Sequence, residues 1–346
     1  MAERNFSMVE YFNRRAKDWR PELSFDGAGD TLTDWKRWQS AASDKLNDLL
    51  GAYPLPVDMN AEVEYSVQRN GLIRERVVFD SEEGMSVPCT LLKLPTVDGD
   101  GSTPAILCCH GHGPYGKEPV VGNTSSEGLR ASIALHNYNY AEQMALRGFV
   151  TLSPDLRGFG ERSDGGSPYT GKDPCNVHFI RGVIMGIYTL TLNVWDMMRC
   201  VDYLRSRPEV DADRIGMMGL SLGGTATAFT AAVEPRIKAA DIIGYVNPWE
   251  TFGIRNANFC GSQIVPEVYR YLDTSDIAGL IAPRPLLLEM GEADTTFPIE
   301  DQLKGYEAVK QIYAAAGASE RLWADIHPGG HAFAGNKAFA FFEKFL

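Results

Sequence analysis

The sequence predicts an α/β fold with a mostly parallel, doubly wound sheet, and three observations support this prediction. Short apolar runs alternate with segments of helical periodicity from residue 105 onwards. A pattern typical of a β-hairpin precedes them, around residues 81–84. Two connections, residues 113–139 and 161–189, are long. Alternating strands and helices favour a parallel sheet, and long loops at the carboxyl ends of such strands usually carry function.

We predict eight strands from apolar runs bounded by turn residues. They lie at residues 74–79, 87–94, 105–109, 149–153, 214–218, 239–244, 285–290 and 322–326. Helical spacing of apolar residues predicts the main helices. These lie at residues 33–50, 140–147, 190–205, 222–233, 302–316 and 337–346. The two long connections are then predicted lid insertions over the sheet.

The pattern of residues 1–60 predicts a mostly helical extension, which precedes a catalytic domain over residues 61–346. Thr33 is the predicted N-cap of the helix in this extension, and Gly51 is predicted to end it. Apolar side chains recur there at helical spacing, at Trp35, Trp38, Ala42, Leu46 and Leu49. This apolar face indicates that the extension packs on the catalytic domain.

The charge balance excludes some classes of partner. The net charge is −12, so we expect neither nucleic acid nor an anionic membrane surface as a partner. Residues 1–20 lack the apolar core of a signal peptide, and no stretch approaches the roughly 18 apolar residues of a membrane span. We therefore expect a cytoplasmic protein, with its oligomeric state open, a homo-oligomer included.

The cysteines and histidines do not predict a metal or another cofactor. The six cysteines show no CxxC pair and no metal-finger spacing. Cys108 and Cys109 lie in a predicted buried strand, so we interpret the cysteines as small buried side chains rather than a disulfide framework. His110 and His112 have no carboxylate cluster near them in sequence that would favour a metal site.

A GxSxG motif at residues 219–223 carries the strongest functional signal. Glycine is abundant in this chain, so the motif alone is weak, but a predicted strand leads into it and a predicted helix follows it. This is the context of a nucleophile elbow, in which glycines permit the tight turn that exposes a serine hydroxyl. We therefore predict that Ser221 is a nucleophile, in preference to a capping serine in a Gly-rich turn.

A serine nucleophile needs a base, which in this arrangement comes last in the chain, after the acid. Two histidines follow Ser221. We predict His331 as the base, because two glycines precede it and suit a loop that brings an imidazole over the sheet. His327 lies at a strand end before a proline, which restricts its backbone, so we expect it to pack the loop.

The acid that orients the base should follow the strand predicted at residues 285–290. Glu289 lies inside that strand, whereas Glu292 and Asp294 lie in the loop beyond it. We predict Asp294 as the acid and keep Glu292 as the second candidate. The alternative role of Asp294, a helix-capping aspartate, fits the serine–acid–histidine order less well.

The two N–H groups of an oxyanion hole are also predictable from position. One should belong to Leu222, the residue after the nucleophile, and the other to the loop after the strand at residues 105–109. That loop reads His-Gly-His-Gly over residues 110–113, and we predict the backbone N–H of His112, with Gly113 as the alternative.

The substrate-binding residues are predicted from the two lid insertions. Gly113, Tyr115, Tyr169 and His178 lie in them. Arg157 follows the strand at residues 149–153 and could bind a substrate carboxylate. We favour a structural role in which Arg157 braces the loops together with Asp155.

The chain resembles the dienelactone hydrolase-like and acetyl xylan esterase-like branch of the α/β hydrolases over residues 75–346. The matching pieces are the HGHG turn, DLRGFGER, SRPEVDADRIGMMGLSLGG, APRPLLLEMGEADTTFPIE and HPGGHAF, with CGSQIVP at residues 260–266. The resemblance implies the α/β-hydrolase fold. True dienelactone hydrolases use a cysteine nucleophile where this chain has Ser221, which favours ordinary carboxylic esters.

These features together predict a serine hydrolase that cleaves carboxylic esters through an acyl-enzyme. We expect a short-chain or acetyl ester, small or on a saccharide, as the substrate. The alternative is a serine peptidase, amidase or carbon–carbon bond hydrolase that uses the same triad. A binding protein that has kept only the fold is disfavoured, because the predicted triad and oxyanion turn are both present.

Overall fold

The computed structural model describes residues 4–164 and 169–346, and its centre is one nine-stranded sheet. The strands are β1 (Glu62–Arg69), β2 (Leu72–Glu82), β3 (Met85–Lys93), β4 (Thr103–Cys109), β5 (Val150–Pro154), β6 (Val210–Leu220), β7 (Ile237–Ile243), β8 (Leu286–Gly291) and β9 (Leu322–His327). Their order is β1-β2-β3-β5-β4-β6-β7-β8-β9. Strands β4 to β9 are parallel, while β1, β2 and β3 are antiparallel to their neighbours. The predicted mostly parallel sheet and its hairpin are confirmed.

The predicted strand number is wrong by one, because β1 was missed. Every residue of β1 is exposed, and its apolar side chains alternate with charged and polar ones at the sheet edge. An exposed strand of this kind has no continuous apolar run, so the sequence pattern does not reveal it. Its pairing with β2, from Glu62 opposite Val78 to Arg69 opposite Leu72, gives it a defined place in the sheet.

Eleven helices among the described residues cover both faces of the sheet. They are α1 (Met8–Lys17), α2 (Leu32–Leu50), α3 (Glu127–His136), α4 (Tyr140–Leu146), α5 (Pro174–Met185), α6 (Thr189–Ser206), α7 (Leu222–Val233), α8 (Val268–Tyr271), α9 (Thr274–Gly279), α10 (Ile299–Ala315) and α11 (Ala338–Phe345). Along β4, Ala105 and Leu107 face the core under α6 and α7, and Ile106 faces the core under α4 and α11. Covering on both faces explains why the central strands are continuously apolar.

The N-terminal extension packs on the sheet domain through α2. Trp35, Trp38 and Leu46 are buried on one side of this helix. Its N-cap is Thr31, not the predicted Thr33, and Thr31 forms a capping box with Asp34. The reciprocal bonds between Thr31 and Asp34 satisfy two free backbone N–H groups, which Thr33 inside the first turn cannot do.

The six cysteines are buried and free, which confirms their interpretation as buried side chains. Among the described residues, no single helix is long and apolar enough to cross a membrane. The pair α5 and α6 reaches that length and composition together, but the two helices meet at a 94° bend.

Three long connections extend from the carboxyl edge of the parallel strands, where doubly wound sheets bind ligands. Two are the predicted insertions, which contain α3 and α5. The third connects β7 to β8 and contains a π-helix at Glu250–Arg255 together with α8 and α9. The fold therefore places three loop systems around one end of the sheet.

Candidate active site

Ser221 lies at a sharp turn between β6 and α7. Its backbone has φ 61° and ψ −115°, a region that residues with a side chain rarely adopt. The turn needs glycine on either side, because a Cβ at Gly219 would overlap the carbonyl of Gly223, and one at Gly223 would overlap the carbonyl of Cys109. This geometry matches the nucleophile elbow predicted from the motif.

Two hydrogen bonds hold the strained serine in place. Its N–H donates to the carbonyl of Ile243 over 2.9 Å, and its own carbonyl accepts from the N–H of Thr225 over 2.9 Å. A backbone strained in this way costs on the order of 1–3 kcal/mol and persists only when its surroundings impose it. Ser221 is therefore held by β7 on one side and by the first turn of α7 on the other.

His331 and Asp294 form a close pair next to this turn. The Nδ1–H of His331 donates to Oδ2 of Asp294 over 2.8 Å. The other carboxylate oxygen accepts from the N–H groups of Thr296 and Phe297, over 2.8 and 2.9 Å. The Asp294 side chain is 1% exposed and that of His331 is 17% exposed. With Nδ1 occupied, the imidazole presents Nε2 as its free acceptor.

The His331 ring is enclosed by its neighbours. Phe297 stacks on it, with ring centroids 5.3 Å apart and an 18° angle between planes. Gly244 lies against its edge, where an added Cβ would come within 3.1 Å of Nδ1. The contacts leave the imidazole little rotational freedom, which a base that must receive a proton in one direction requires.

Ser221 and His331 line one cavity of about 490 Å³. Among the hydrogen bonds of the described residues, none joins the Ser221 hydroxyl to His331, and such contacts are often long before substrate binds. Three further predicted residues, His112, Gly113 and Tyr115, also line the cavity. The predicted nucleophile, base and part of the predicted binding surface therefore share one space.

The alternative candidates for acid and base lie elsewhere. Glu292 is exposed, and its N–H donates to the carbonyl of His327. Glu289 is buried in β8, where one carboxyl oxygen accepts from the N–H of Ala334, and burial raises its pKa. The His327 ring accepts from the N–H of Gly329 within its own loop over 3.2 Å, and burial lowers its pKa.

The predicted oxyanion donors lie in the turn after β4 and at the start of α7. The N–H of His112 makes no hydrogen bond to another described residue, and Leu222 is the first residue of α7, whose first N–H groups have no partner inside the helix. Beneath them, the ring of His110 accepts from the N–H of Leu156 over 3.0 Å and donates to the carbonyl of Gly111 over 2.7 Å. Burial lowers the pKa of His110, so it stays neutral and holds the turn.

His178, predicted to bind substrate, does not line the cavity, and neither does Arg157, for which substrate binding was the less favoured role. Arg157 makes a bidentate ion pair with Asp196, at 2.7 and 2.8 Å, and a third contact with Glu82 at 2.6 Å. The predicted brace with Asp155 is therefore corrected to one with Asp196. His178 lies in α5, and its Nε2 is 3.8 Å from Oδ2 of Asp164.

Sequence reasoning missed an aromatic wall that the third long connection contributes. Phe252 and Phe259 have ring centroids 4.1 Å apart, and Phe252 stacks on Phe297 at 4.3 Å. These three rings line the cavity and continue to the ring of His331. A signal was present in the sequence, because residues 245–260, in the connection between two buried strands, contain four aromatic residues.

One group of residues near the cavity has metal-binding chemistry. His112, Cys175 and Cys260 lie close together, although they are far apart in the chain. No metal site is predicted from the sequence, because only ligands at short spacings form a recognisable motif, and these three residues are far apart in the chain. The imidazole of His112 therefore lies beside two cysteines, whereas the predicted oxyanion donor is the backbone N–H of the same residue.

The parallel sheet, the elbow and the acid–histidine pair define an α/β hydrolase. The chain belongs to the Abhydrolase family, whose model matches residues 2–322. YtaP of Bacillus subtilis (strain 168), named provisionally as a hydrolase, is 27% identical over 307 residues, which cover 87% of this chain and 98% of that protein. The sequence-based assignment to the α/β hydrolases is confirmed.

Solved structures share the fold at low identity. A Bacteroides fragilis NCTC 9343 protein, described provisionally as an acetyl xylan esterase, superposes with a TM-score of 0.74 and 18% identity, over 93% of this chain and 82% of that one. A glucuronoyl esterase from Solibacter usitatus superposes with a TM-score of 0.66 and 15% identity, over 94% and 97%. At these identities the likeness concerns the fold alone.

Proposed function

We propose that the protein is a serine hydrolase that cleaves carboxylic esters through an acyl-enzyme on Ser221. The observation that carries this proposal is the position of Ser221. It lies on a strained elbow and shares one cavity with a histidine whose Nδ1 is bound to a buried carboxylate. A serine, an oriented imidazole and a buried acid are the groups that acyl transfer to water requires.

The reaction follows from the roles that these positions allow. Ser221 Oγ attacks the ester carbonyl carbon and its proton passes to Nε2 of His331, while Asp294 stabilises the resulting imidazolium. The carbonyl oxygen becomes an oxyanion, for which the N–H groups of Leu222 and His112 are the donors. His331 then returns the proton to the leaving alcohol. A water molecule, deprotonated by His331, hydrolyses the acyl-serine and releases the acid.

The cavity favours a neutral ester. Its described lining includes aromatic rings, polar groups such as Asn258 and Gln263, and the carboxylate of Asp173, with no lysine or arginine among them. A carboxylate substrate would find no cationic partner there, and Asp173 would repel it. Phenylalanine rings and amides together suit a sugar ring, which has apolar faces and hydroxyl edges. We therefore propose short-chain esters, acetyl esters of saccharides above all. The structural similarity to the protein described provisionally as an acetyl xylan esterase supports this choice.

The test compares esters that differ in one feature at a time. We expect rapid hydrolysis of p-nitrophenyl acetate, slower hydrolysis of p-nitrophenyl esters with longer acyl chains, and release of acetate from acetylated xylo-oligosaccharides. A fluorophosphonate should label wild-type protein and leave the Ser221→Ala variant unlabelled.

Two outcomes would contradict the proposal. Retention of the esterase activity by folded Ser221→Ala protein would remove Ser221 as the nucleophile. Turnover of aminoacyl amides with negligible ester turnover would favour the peptidase or amidase alternative. The same panel includes methyl glucuronate esters. They distinguish cleavage of an ester in which the sugar supplies the acid from cleavage of one in which the sugar supplies the alcohol.

A further inference from the structure

Three side chains from separate segments meet beside the cavity. His112 follows β4, Cys175 lies in the first turn of α5, and Cys260 lies in the β7–β8 connection. Nε2 of His112 is 3.6 Å from Sγ of Cys175. One ligand atom from each residue lies within 4.8 Å of the other two. Both cysteines are buried and free, so their sulfur atoms are available as ligands.

The spacing of these atoms fits a tetrahedral metal ion. Zinc binds sulfur at about 2.3 Å and imidazole nitrogen at about 2.0 Å, so tetrahedral angles place a nitrogen and a sulfur ligand about 3.5 Å apart. The observed separation of His112 Nε2 from Cys175 Sγ, 3.6 Å, is close to this value. Two sulfurs and one imidazole favour zinc and similar ions over magnesium or calcium, which prefer oxygen.

Other contacts hold the two cysteine-bearing segments together. The side-chain oxygen of Asn176 accepts from the N–H of Gly261 over 3.1 Å. Phe179 packs so closely on Gly261 that an added Cβ there would overlap the Phe179 Cβ. Nε2 of Gln263 donates to Cys260 Sγ over 3.7 Å. The approach of the two thiols is therefore part of how α5 docks on the turn at residues 260–263.

We propose that His112, Cys175 and Cys260 bind a divalent cation of the zinc class. The ion is held by one neutral imidazole and two thiolates, and binding releases the two thiol protons to solvent without a change of oxidation state. His112 and Cys260 line the cavity, so water on that side supplies the fourth ligand. The ion links the turn after β4, the lid helix α5 and the aromatic connection, three segments that surround the cavity.

The test measures metal uptake directly. Full-length protein is stripped with a chelator, kept reduced with a phosphine, and titrated with Co²⁺ and then Zn²⁺. We expect one Co²⁺ per chain with a thiolate-to-cobalt charge-transfer band, displacement of Co²⁺ by Zn²⁺, and a rise in melting temperature on binding. Cys175→Ser and Cys260→Ser should each weaken binding more than about 100-fold, beyond the loss typical of an outer-shell change.

Matched variants make each outcome decisive. Cys200→Ala removes a buried cysteine of α6 that is not part of the cluster, and this variant should bind Co²⁺ as the wild type does. An unchanged circular dichroism spectrum shows that the serine variants are folded. A reduced wild type that takes up no Co²⁺ overturns the proposal. Equal uptake by wild type and both serine variants means adventitious surface binding only, and overturns it as well.

Discussion

The Nδ1–H of His136 donates to the main-chain carbonyl of His331 over 2.6 Å, and this bond connects a lid helix to the loop of the proposed base. Two more bonds reinforce the connection. The N–H of Phe333 donates to the carbonyl of His136, and the side chain of Asn137 donates to the carbonyl of Phe333, each over 3.0 Å. The end of α3 thereby sets the position of the loop that follows β9.

His136→Ala should lower kcat for p-nitrophenyl acetate by about 10- to 100-fold, because small misplacements of a base cost that much. His136 also lines the cavity, so KM is measured separately. Asn137→Ala removes one of the other bonds and should have a smaller effect in the same direction. An unchanged kcat in folded His136→Ala protein would show that the bond does not position His331.

Asp294→Asn should lower kcat by roughly 10³- to 10⁴-fold, because the amide no longer holds the imidazole in the required tautomer. KM should change little, since Asp294 contacts His331 rather than the cavity. Glu292→Gln is the control in the same loop, and its exposed side chain predicts wild-type activity. Loss of activity in Glu292→Gln with retention in Asp294→Asn would reverse the assignment of the acid.

Arg157→Ala should lower the free energy of unfolding by about 3–5 kcal/mol, because it leaves the fully buried Asp196 with a weaker counter-charge. Burial opposes ionisation of Asp196, but Arg162 and Arg157 hold its pKa below the ordinary value. Urea unfolding measures the loss, and Arg255→Ala, at an exposed ion pair, should cost less than about 1 kcal/mol. Near-wild-type stability with a large rise in KM would instead support a substrate contact.

The free energy of unfolding should fall as pH rises through the range in which Asp276 titrates. Oδ1 of Asp276 accepts from the N–H of Phe25 over 2.9 Å, and burial raises the pKa of Asp276 to about 7. An acid whose pKa is raised by folding contributes stability that is fully present below the unfolded value, near 4, and is lost as pH rises through 7. The full loss is on the order of 4 kcal/mol.

Asp276→Asn should flatten this dependence, because an amide does not titrate. Urea unfolding at pH 5 and pH 8 measures it, and the wild type should lose more stability between these values than the variant does. Asp273, whose pKa burial raises to about 6, remains in both proteins. Parallel profiles of wild type and variant would exclude Asp276 as the titrating group.

Much of the fold was predictable because its signals are local. Eight of the nine strands have apolar runs of their own, and the helix after Ser221 has the bounds that its composition predicts. The remaining strand, β1, was missed because its position in the sheet depends on pairing with β2 and not on its own composition. The N-cap of α2 was misplaced by two residues, because the reciprocal bonds with Asp34 decide which threonine caps the helix.

Sequence alone was enough to predict the elbow at Ser221, the chain order of acid and histidine, and the α/β class, because each rests on a local motif or on the order of elements along the chain. Only the tertiary structure decided the partner of Arg157, the aromatic wall beside His331 and the meeting of His112 with Cys175, 63 residues away. Such contacts depend on how long connections pack over the sheet. Their conformation is set by side chains from several segments at once, and no local pattern encodes it.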